Sequence, residues 1–240
     1  MFEFKVETRR VKLVWFIQSI VTSSTQTNYG FELLTRAYFV DSDSVWPTQQ
    51  LFQYLTHHPK LLLEITTRQI KDIADVVKQP IYHDSKFWIN LSAPLIANES
   101  LFNQLWKFAL QPILPILKER IVLEISEECV SDFSSIEHMK LLQSSGLKLA
   151  LDDFGSGYSN LQRLNQLAFD FIKIDLGLIN QVPVDIWQSS FYQQTIELCS
   201  SIGGLIVAEG VETQAQADFV QWAGADLIQG FFFSRPAPLR

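Results

Sequence analysis

The chain has 240 residues, 47% hydrophobic and 19% charged, with 10 glycines and 9 prolines, a composition that excludes disordered, collagen-like and low-complexity proteins and suffices for one domain with a large core. Its two cysteines, Cys129 and Cys199, make no disulfide framework and point to a reducing compartment. With 26 acids against 19 bases, a formal charge of −7 and no basic run longer than Arg9-Arg10, the balance argues against binding duplex DNA or RNA, and an anionic ligand would need a cation between it and the acids.

The first apolar stretch, Val11 to Val21, contains Lys12, Gln18 and Ser19 and falls well short of the ~20 apolar residues of a membrane span. A signal peptide fits poorly, because bulky Trp15-Phe16 and the polar stretch after it offer no small-residue cleavage pattern. A buried strand is expected there instead, over Leu13–Val21. Further apolar runs predict strands over Tyr29–Ala37, Lys86–Leu91, Ile121–Ile125, Leu147–Leu151, Phe169–Ile174, Leu205–Ala208 and Ala225–Ile228. Between them, helical periodicity covers Trp46–Leu55, Glu64–Val77, Leu101–Leu110, Ile136–Ser144, Ser159–Leu167, Ser190–Ser201 and Gln214–Trp222. Strands alternating with helices in this number predict a (β/α)8 barrel; an open doubly wound sheet shares the alternation.

The strand ends carry the chemistry. Asn90, Glu124, Asp152 with Asp153, Asp175, Glu209 and Gln229 each follow an apolar run. In a barrel those ends converge on one face. Carboxylates gathered there repel one another and take up protons unless a cation is present, and oxygen ligands suit Mg²⁺ or Mn²⁺ better than zinc.

Leu151-Asp-Asp-Phe-Gly-Ser-Gly-Tyr-Ser-Asn-Leu161 reads either as an acidic site loop or as a helix cap before a glycine-rich turn. It is neither a protein-kinase metal loop, since no H-R-D or V-A-I-K segment accompanies it, nor a dinucleotide fingerprint, since Asn160 stands where a third glycine belongs. Lys173 lies within the apolar strand Phe171 to Asp175 and needs partners, either in a structural ion pair or in a site. In Ala208 to Thr213, Glu209 ends a strand, while Glu212 reads as a solvent-facing residue of a first helical turn. The histidines and cysteines show no metal-ligand spacing, no GxSxG elbow occurs, and Phe231-Phe232-Phe233 is expected to pack the last barrel loop.

In order, the segments GFELLTRA, FWINLSA, IVLEISEE, LDDFGSGYSNL, FDFIKID, VAEGVET and IQGFFFSRP resemble the successive signature motifs of the EAL domain family, bacterial phosphodiesterases that hydrolyse the second messenger cyclic di-GMP. The resemblance runs from about Lys12 to Pro236. It implies a modified (β/α)8 barrel with one antiparallel strand near the N-terminus, and a two-metal site. Glu32, Asn90 and Glu124 would ligate one ion, Asp152 would bridge, and Asp153 with Glu209 would hold the second. Lys173 would contact the nucleophilic water, and Glu127 would brace the DDFGSGYS loop. Gln18 and Arg36 resemble substrate contacts, and Gln229 and Glu212 match supporting positions around them. Two Mg²⁺ or Mn²⁺ ions are implied, with Ca²⁺ inhibitory, and the product would be linear 5′-pGpG. A homodimer is implied through the helix after the DDFGSGYS loop, at Gln162, Arg163 and Gln166.

The chain departs from the family pattern at Ser19, usually proline, at Leu33 within the E-A-L triplet, at Ala37, at Leu176, and over Pro47 to Leu55, a segment near the guanine side of the pocket. None of these removes an implied ligand. The expectation is a stand-alone cytoplasmic phosphodiesterase domain over 12–240 with a short extension over 1–11. The alternatives are a catalytically silent receptor or interaction module of the same fold, a phosphodiesterase for pGpG or another cyclic dinucleotide, and an unrelated barrel metalloenzyme.

Overall fold

The computed structural model describes residues 2–126, 133–156 and 167–239. Glu127, Cys129 and nearly all of the expected helix from Ser159, with Gln162, Arg163 and Gln166, lie outside the described residues. Eight strands close into a barrel: β2 (Arg9–Thr22), β3 (Asn28–Phe39), β5 (Lys86–Asn90), β6 (Ile121–Ser126), β7 (Lys148–Phe154), β8 (Phe171–Ile174), β9 (Leu205–Ala208) and β10 (Leu227–Gln229). From β3 to β10 each strand pairs parallel with the next, and β2 closes the ring antiparallel to both β3 and β10. This is the modified (β/α)8 barrel that the resemblance implies.

Before the barrel, β1 (Phe2–Val6) turns back on β2 as a hairpin. Its alternation places Phe2, Phe4 and Val6 against the core and Glu3 and Lys5 outward. That strand was not expected, nor were the two-residue strands β4 (Val45–Trp46) and β11 (Ala237–Pro238). Trp46, expected in a helix, pairs with Ala37 in β4. The helix starts after Pro47, as α1 (Thr48–Thr56).

The outer helices bury one stripe each. In α2 (Pro59–Val76) the stripe includes Leu62, Ile65, Ile70 and Ile73, each worth about 1.5–3 kcal/mol of apolar burial. The helix begins five residues before the expected Glu64 because Pro59 supplies the fixed φ of a first helical position. The expected helix Leu101–Leu110 is two pieces, α4 (Glu99–Leu105) and a π turn over Trp106–Leu110, and helix continues past the expected end as α5 (Gln111–Leu117). Pro112 and Pro115 remove two N–H donors from this stretch, and the ladder ahead of them slips to the wider register. After the short α3 (Ala93–Ala97), α6 (Phe133–Ser144) and α7 (Ile186–Ile202), the last helix is α8 (Gln214–Ala223). It opens on a capping box between Thr213 and Gln216 and stops at left-handed Gly224.

Phe231 and Phe232 do not pack the last loop as expected; they are 45% and 37% exposed, and Phe233 alone lies against the core. The chain passes there through Gly230, where a Cβ would sit 1.9 Å from Val211 O and 2.4 Å from Val211 N. Backbone cannot yield as a side-chain tip can. Gly230→Ala should therefore cost about 1–3 kcal/mol or more, read as a lower urea midpoint; an unchanged midpoint would contradict this packing.

Candidate active site

One polar side chain from each barrel strand meets at the mouth formed by the C-terminal ends of the parallel strands. These are Gln18 (β2), Glu32 (β3), Asn90 (β5), Glu124 (β6), Asp152 (β7), Lys173 (β8), Glu209 (just after β9) and Gln229 (β10). The layer beneath them is apolar, built from Ile20, Trp88, Val122, Ala150, Phe171, Val207 and Leu227. Each polar residue except Glu32, whose counterpart is Gly30, stands two positions along its strand from that layer, so period-two alternation sends both inward. On β2, which runs the other way, the step reverses, from Ile20 back to Gln18.

Lys173 is the centre of the ring. It is 2% exposed, and its Nζ lies 2.7 Å from Glu124 Oε1, 2.8 Å from Asp152 Oδ1, 2.7 Å from Glu209 Oε1 and 4.0 Å from Glu32 Oε2. Burial pulls its ammonium down, but the carboxylates of Glu124, Glu209, Glu32 and Asp152 more than offset this and hold it well above an ordinary lysine. One cation is too little for the acids it faces. Burial pushes Glu124 well up, Lys173 pulls it back, and Glu32 and Asp152 raise it further. Glu209 is raised to about 8 in the same way, by burial first and by Asp152 and Glu32 against the pull of Lys173. Asp153, at the solvent side, is raised to about 6 by burial and by repulsion from Asp152. Amides bridge the ring: Asn90 Nδ2 donates to Glu124 Oε2 at 3.0 Å and to Glu32 Oε1 at 3.4 Å, and Gln229 Nε2 to Glu32 Oε2 at 2.6 Å.

Strict alternation would send Asp152 and Asp153 to opposite faces of β7. Instead the β7–β8 register gains a residue between Leu151 and Phe154, opposite Lys173, and Asp153 takes a left-handed φ of 57°. The bulge turns both acids to the mouth, where oxygens of Asp152, Asp153 and Glu209 lie within 4.8 Å of one another. Asp175, grouped with the strand-end acids on sequence, is not in this set; it caps the turn after β8 by accepting from Gly177 N–H at 2.9 Å.

Gln18, Glu32, Asp152, Lys173, Glu209 and Gln229 of the ring line a pocket of about 510 Å³, with Arg36, Glu212 and Gly210. Apolar Leu34, Leu176, Phe231 and Pro236 line it too, with Asn180 and Gln216. Glu212 is exposed as expected, yet borders this pocket. Arg36 donates to Thr35 O and faces the Phe16 ring, without a carboxylate partner among the described residues. Gln216, Asn180, Phe231 and Pro236 were not singled out from sequence as site residues. Only Gln216 left a signal, as the fourth residue of the Thr213 capping box.

The donor chemistry fits divalent cations. All candidate ligand atoms are oxygens, and buried Glu124 Oε1 and Asp152 Oδ1 accept no hydrogen bond of good geometry among the described residues. Attraction to Lys173 alone offsets their desolvation, so acceptor capacity remains for hard ions such as Mg²⁺ or Mn²⁺.

Fold and site together define a modified (β/α)8-barrel domain with an acidic, oxygen-rich pocket at its C-terminal mouth. Residues 4–236 match the family model of the EAL domain, and the chain belongs to that family. It is 33% identical over 193 residues to the probable cyclic di-GMP phosphodiesterase PdeN of Escherichia coli K12, covering 80% of this chain and 36% of PdeN. With the cyclic di-GMP phosphodiesterase PdeL of the same strain it shares 30% identity over 234 residues, covering 93% of this chain and 62% of PdeL. The chain thus spans only part of the length of these curated relatives. Among solved structures, the PaMucR phosphodiesterase–c-di-GMP complex, from the MucR protein of Pseudomonas aeruginosa, matches with a TM-score of 0.82 at 27% identity, covering 94% of this chain and 92% of that one. The calcium/cy-diGMP complex of Klebsiella pneumoniae BlrP1 matches with a TM-score of 0.78 at 25% identity, covering 95% and 56%. No helix among the described residues is long and apolar enough to cross a membrane.

The raised carboxylates set a pH dependence. Folded Glu209 keeps a proton up to about pH 8 that the unfolded chain releases near 4.5, so metal-free protein loses stability as pH rises through that window. The melting temperature in EDTA should therefore be higher at pH 5 than at pH 8, and Mn²⁺ should raise it more at pH 8. Lys173→Met should cost about 3 kcal/mol or more at pH 8, by leaving buried charges unpaired, and less at pH 5. A melting temperature indifferent to pH and to Mn²⁺ would rule out this charge arrangement.

Proposed function

We propose that this chain hydrolyses cyclic di-GMP to linear 5′-pGpG with the help of divalent ions. The supporting observation is the ring of acids and amides around one buried lysine, at the floor of a pocket with room for a nucleotide, in an EAL domain whose relatives include named cyclic di-GMP phosphodiesterases.

In this reading Glu32, Asn90, Glu124 and Asp152 hold one Mg²⁺ or Mn²⁺, and Asp152, Asp153 and Glu209 hold a second. When bound, such ions polarise the phosphoryl oxygens and make water acidic enough to react near neutral pH. The protein's own groups then do three things. Lys173 donates to the attacking water and holds it against phosphorus, its charge fixed by the surrounding carboxylates. Arg36, on the pocket wall without a carboxylate partner among the described residues, receives a phosphodiester oxygen, and Gln18 and Gln229 frame the ribose side. Leu34, Leu176, Phe231 and Pro236 flank the bases and exclude water. Water oxygen forms the new bond to phosphorus, the bond to the ribose 3′ oxygen breaks, and that oxygen leaves as a hydroxyl.

The departures from the family pattern leave this machinery in place. Leu33 is buried among the outer helices, facing away from Glu32. The altered segment 47–55 is mostly α1, whose Thr48 and Phe52 line a small cavity shared with Arg36; its effect falls on base recognition and affinity, with the ligands untouched. Ca²⁺, with longer bonds and looser geometry, is proposed to inhibit. A homodimer and a cytoplasmic location complete the proposal; sedimentation of the purified chain checks the first.

Incubated with cyclic di-GMP and Mn²⁺ or Mg²⁺, the chain should release pGpG, resolved by chromatography, and none with EDTA or Ca²⁺ alone. Glu32→Ala and Asp152→Ala should each lower turnover by about 10³-fold or more with an unchanged circular dichroism spectrum. Binding of intact cyclic di-GMP without product under any metal would make the chain a receptor instead.

A further inference from the structure

Along one edge β2 pairs with β3 without interruption from Val11 to Ile20. Its other edge is covered piecemeal: by β1 up to Leu13, by β11 at Phe16 and Ile17, and by β10 from Ile20. Gln18 and Ser19 fall in the gap, and Ser234 fills it. The Ser234 hydroxyl accepts from Ser19 N–H at 3.0 Å, its carbonyl accepts from Gln18 Nε2 at 3.0 Å, and its own N–H donates to Gly230 O at 3.1 Å.

Chemistry fixes the direction of the bonds that follow. A main-chain carbonyl only accepts, so Gln18 must turn its NH₂ toward Ser234 and its Oε1 toward Gln229. Gln229 Nε2 then donates to Gln18 Oε1 at 3.3 Å and to Glu32 Oε2 at 2.6 Å. A carboxylate also only accepts, so both ends of the chain demand the same amide orientations. Gln18, Gln229 and Glu32 are all buried, at 8%, 5% and 9% exposure, where the low local dielectric strengthens these bonds.

We propose that Ser234 is a positioning residue: by completing the open rung of β2 it fixes the Gln18 amide and, through Gln229, the orientation in which Glu32 meets a divalent cation. This rests on the reading of Glu32 as a metal ligand. Ser234 touches neither substrate nor metal; it acts through two amides. The hydroxyl is the replaceable part, because among the described residues only the Gln18 bond would then join Ser234 to β2.

The test is Mn²⁺ binding to nucleotide-free protein, read from the electron paramagnetic resonance signal of free Mn²⁺. Ser234→Ala should raise the dissociation constant about tenfold, the low end for loss of a supporting hydrogen bond around a metal ligand. Ser234→Thr, which keeps the hydroxyl, should restore the parent affinity. Unchanged Mn²⁺ affinity in Ser234→Ala, or a loss that threonine does not restore, overturns the proposal. Parent protein that binds no Mn²⁺ removes the metal reading first, and this proposal with it.

Discussion

A lysine with almost no exposure, surrounded by four carboxylates, is the constraint on which the rest of the pocket depends. Taking an ammonium out of water costs several kcal/mol unless opposite charge lies close. Lys173 has three such partners within 2.8 Å and a fourth at 4.0 Å. The reverse also holds: Glu124, 1% exposed, can carry charge there only because Lys173 does. The set nevertheless holds more negative charge than one lysine can balance, so its carboxylates are displaced toward protonation. A group of acids that would rather be neutral, in a pocket open to ligand, is an arrangement that gains from binding cations.

The barrel makes this arrangement possible by separating two layers. Below the charged ring, Trp88, Phe171 and their neighbours fill the interior with apolar side chains. This floor excludes water from beneath the acids, so the field of each charge acts at short range through a poor dielectric. The ring side chains come from different strands, and their relative positions are set by backbone pairing, which is stiffer than any loop. Two departures from regularity adjust the pattern. The bulge at Asp152-Asp153 brings two consecutive acids to one face, and the reversed β2 delivers Gln18 from the opposite chain direction.

Closing the barrel with a reversed strand has its own consequence. No single strand covers the free edge of β2, so β1, β11, Ser234 and β10 share it. The C-terminal segment therefore belongs to the site's frame: Gly230 passes so close to Val211 that no side chain fits, and Ser234 lies against Gln18. Unpaired main-chain donors in a buried edge are costly, which gives a serine hydroxyl a structural use that a helix or a turn would not.

The sequence by itself determined the barrel's strands and most of its polar ring. Short apolar runs bounded by turns marked each barrel strand, and the residue ending each run proved to be a ring member in most cases, because alternation along a strand is a local property. It did not reveal β1, although Phe2, Phe4 and Val6 alternate with Glu3 and Lys5, since a five-residue run gains meaning only once β2 is there to receive it. Strands of two residues, such as β4 and β11, carry no periodicity at all. Asp175 looked equivalent to Glu209 in sequence, and only the turn after β8 made one a cap and the other a site acid. The tertiary structure alone decided that Asp152 and Asp153 share a face, that Lys173 serves four acids at once, and that Ser234 reaches Gln18 across 216 positions. Each of these depends on which strands become neighbours and in what register, information that no stretch of chain contains until the barrel closes.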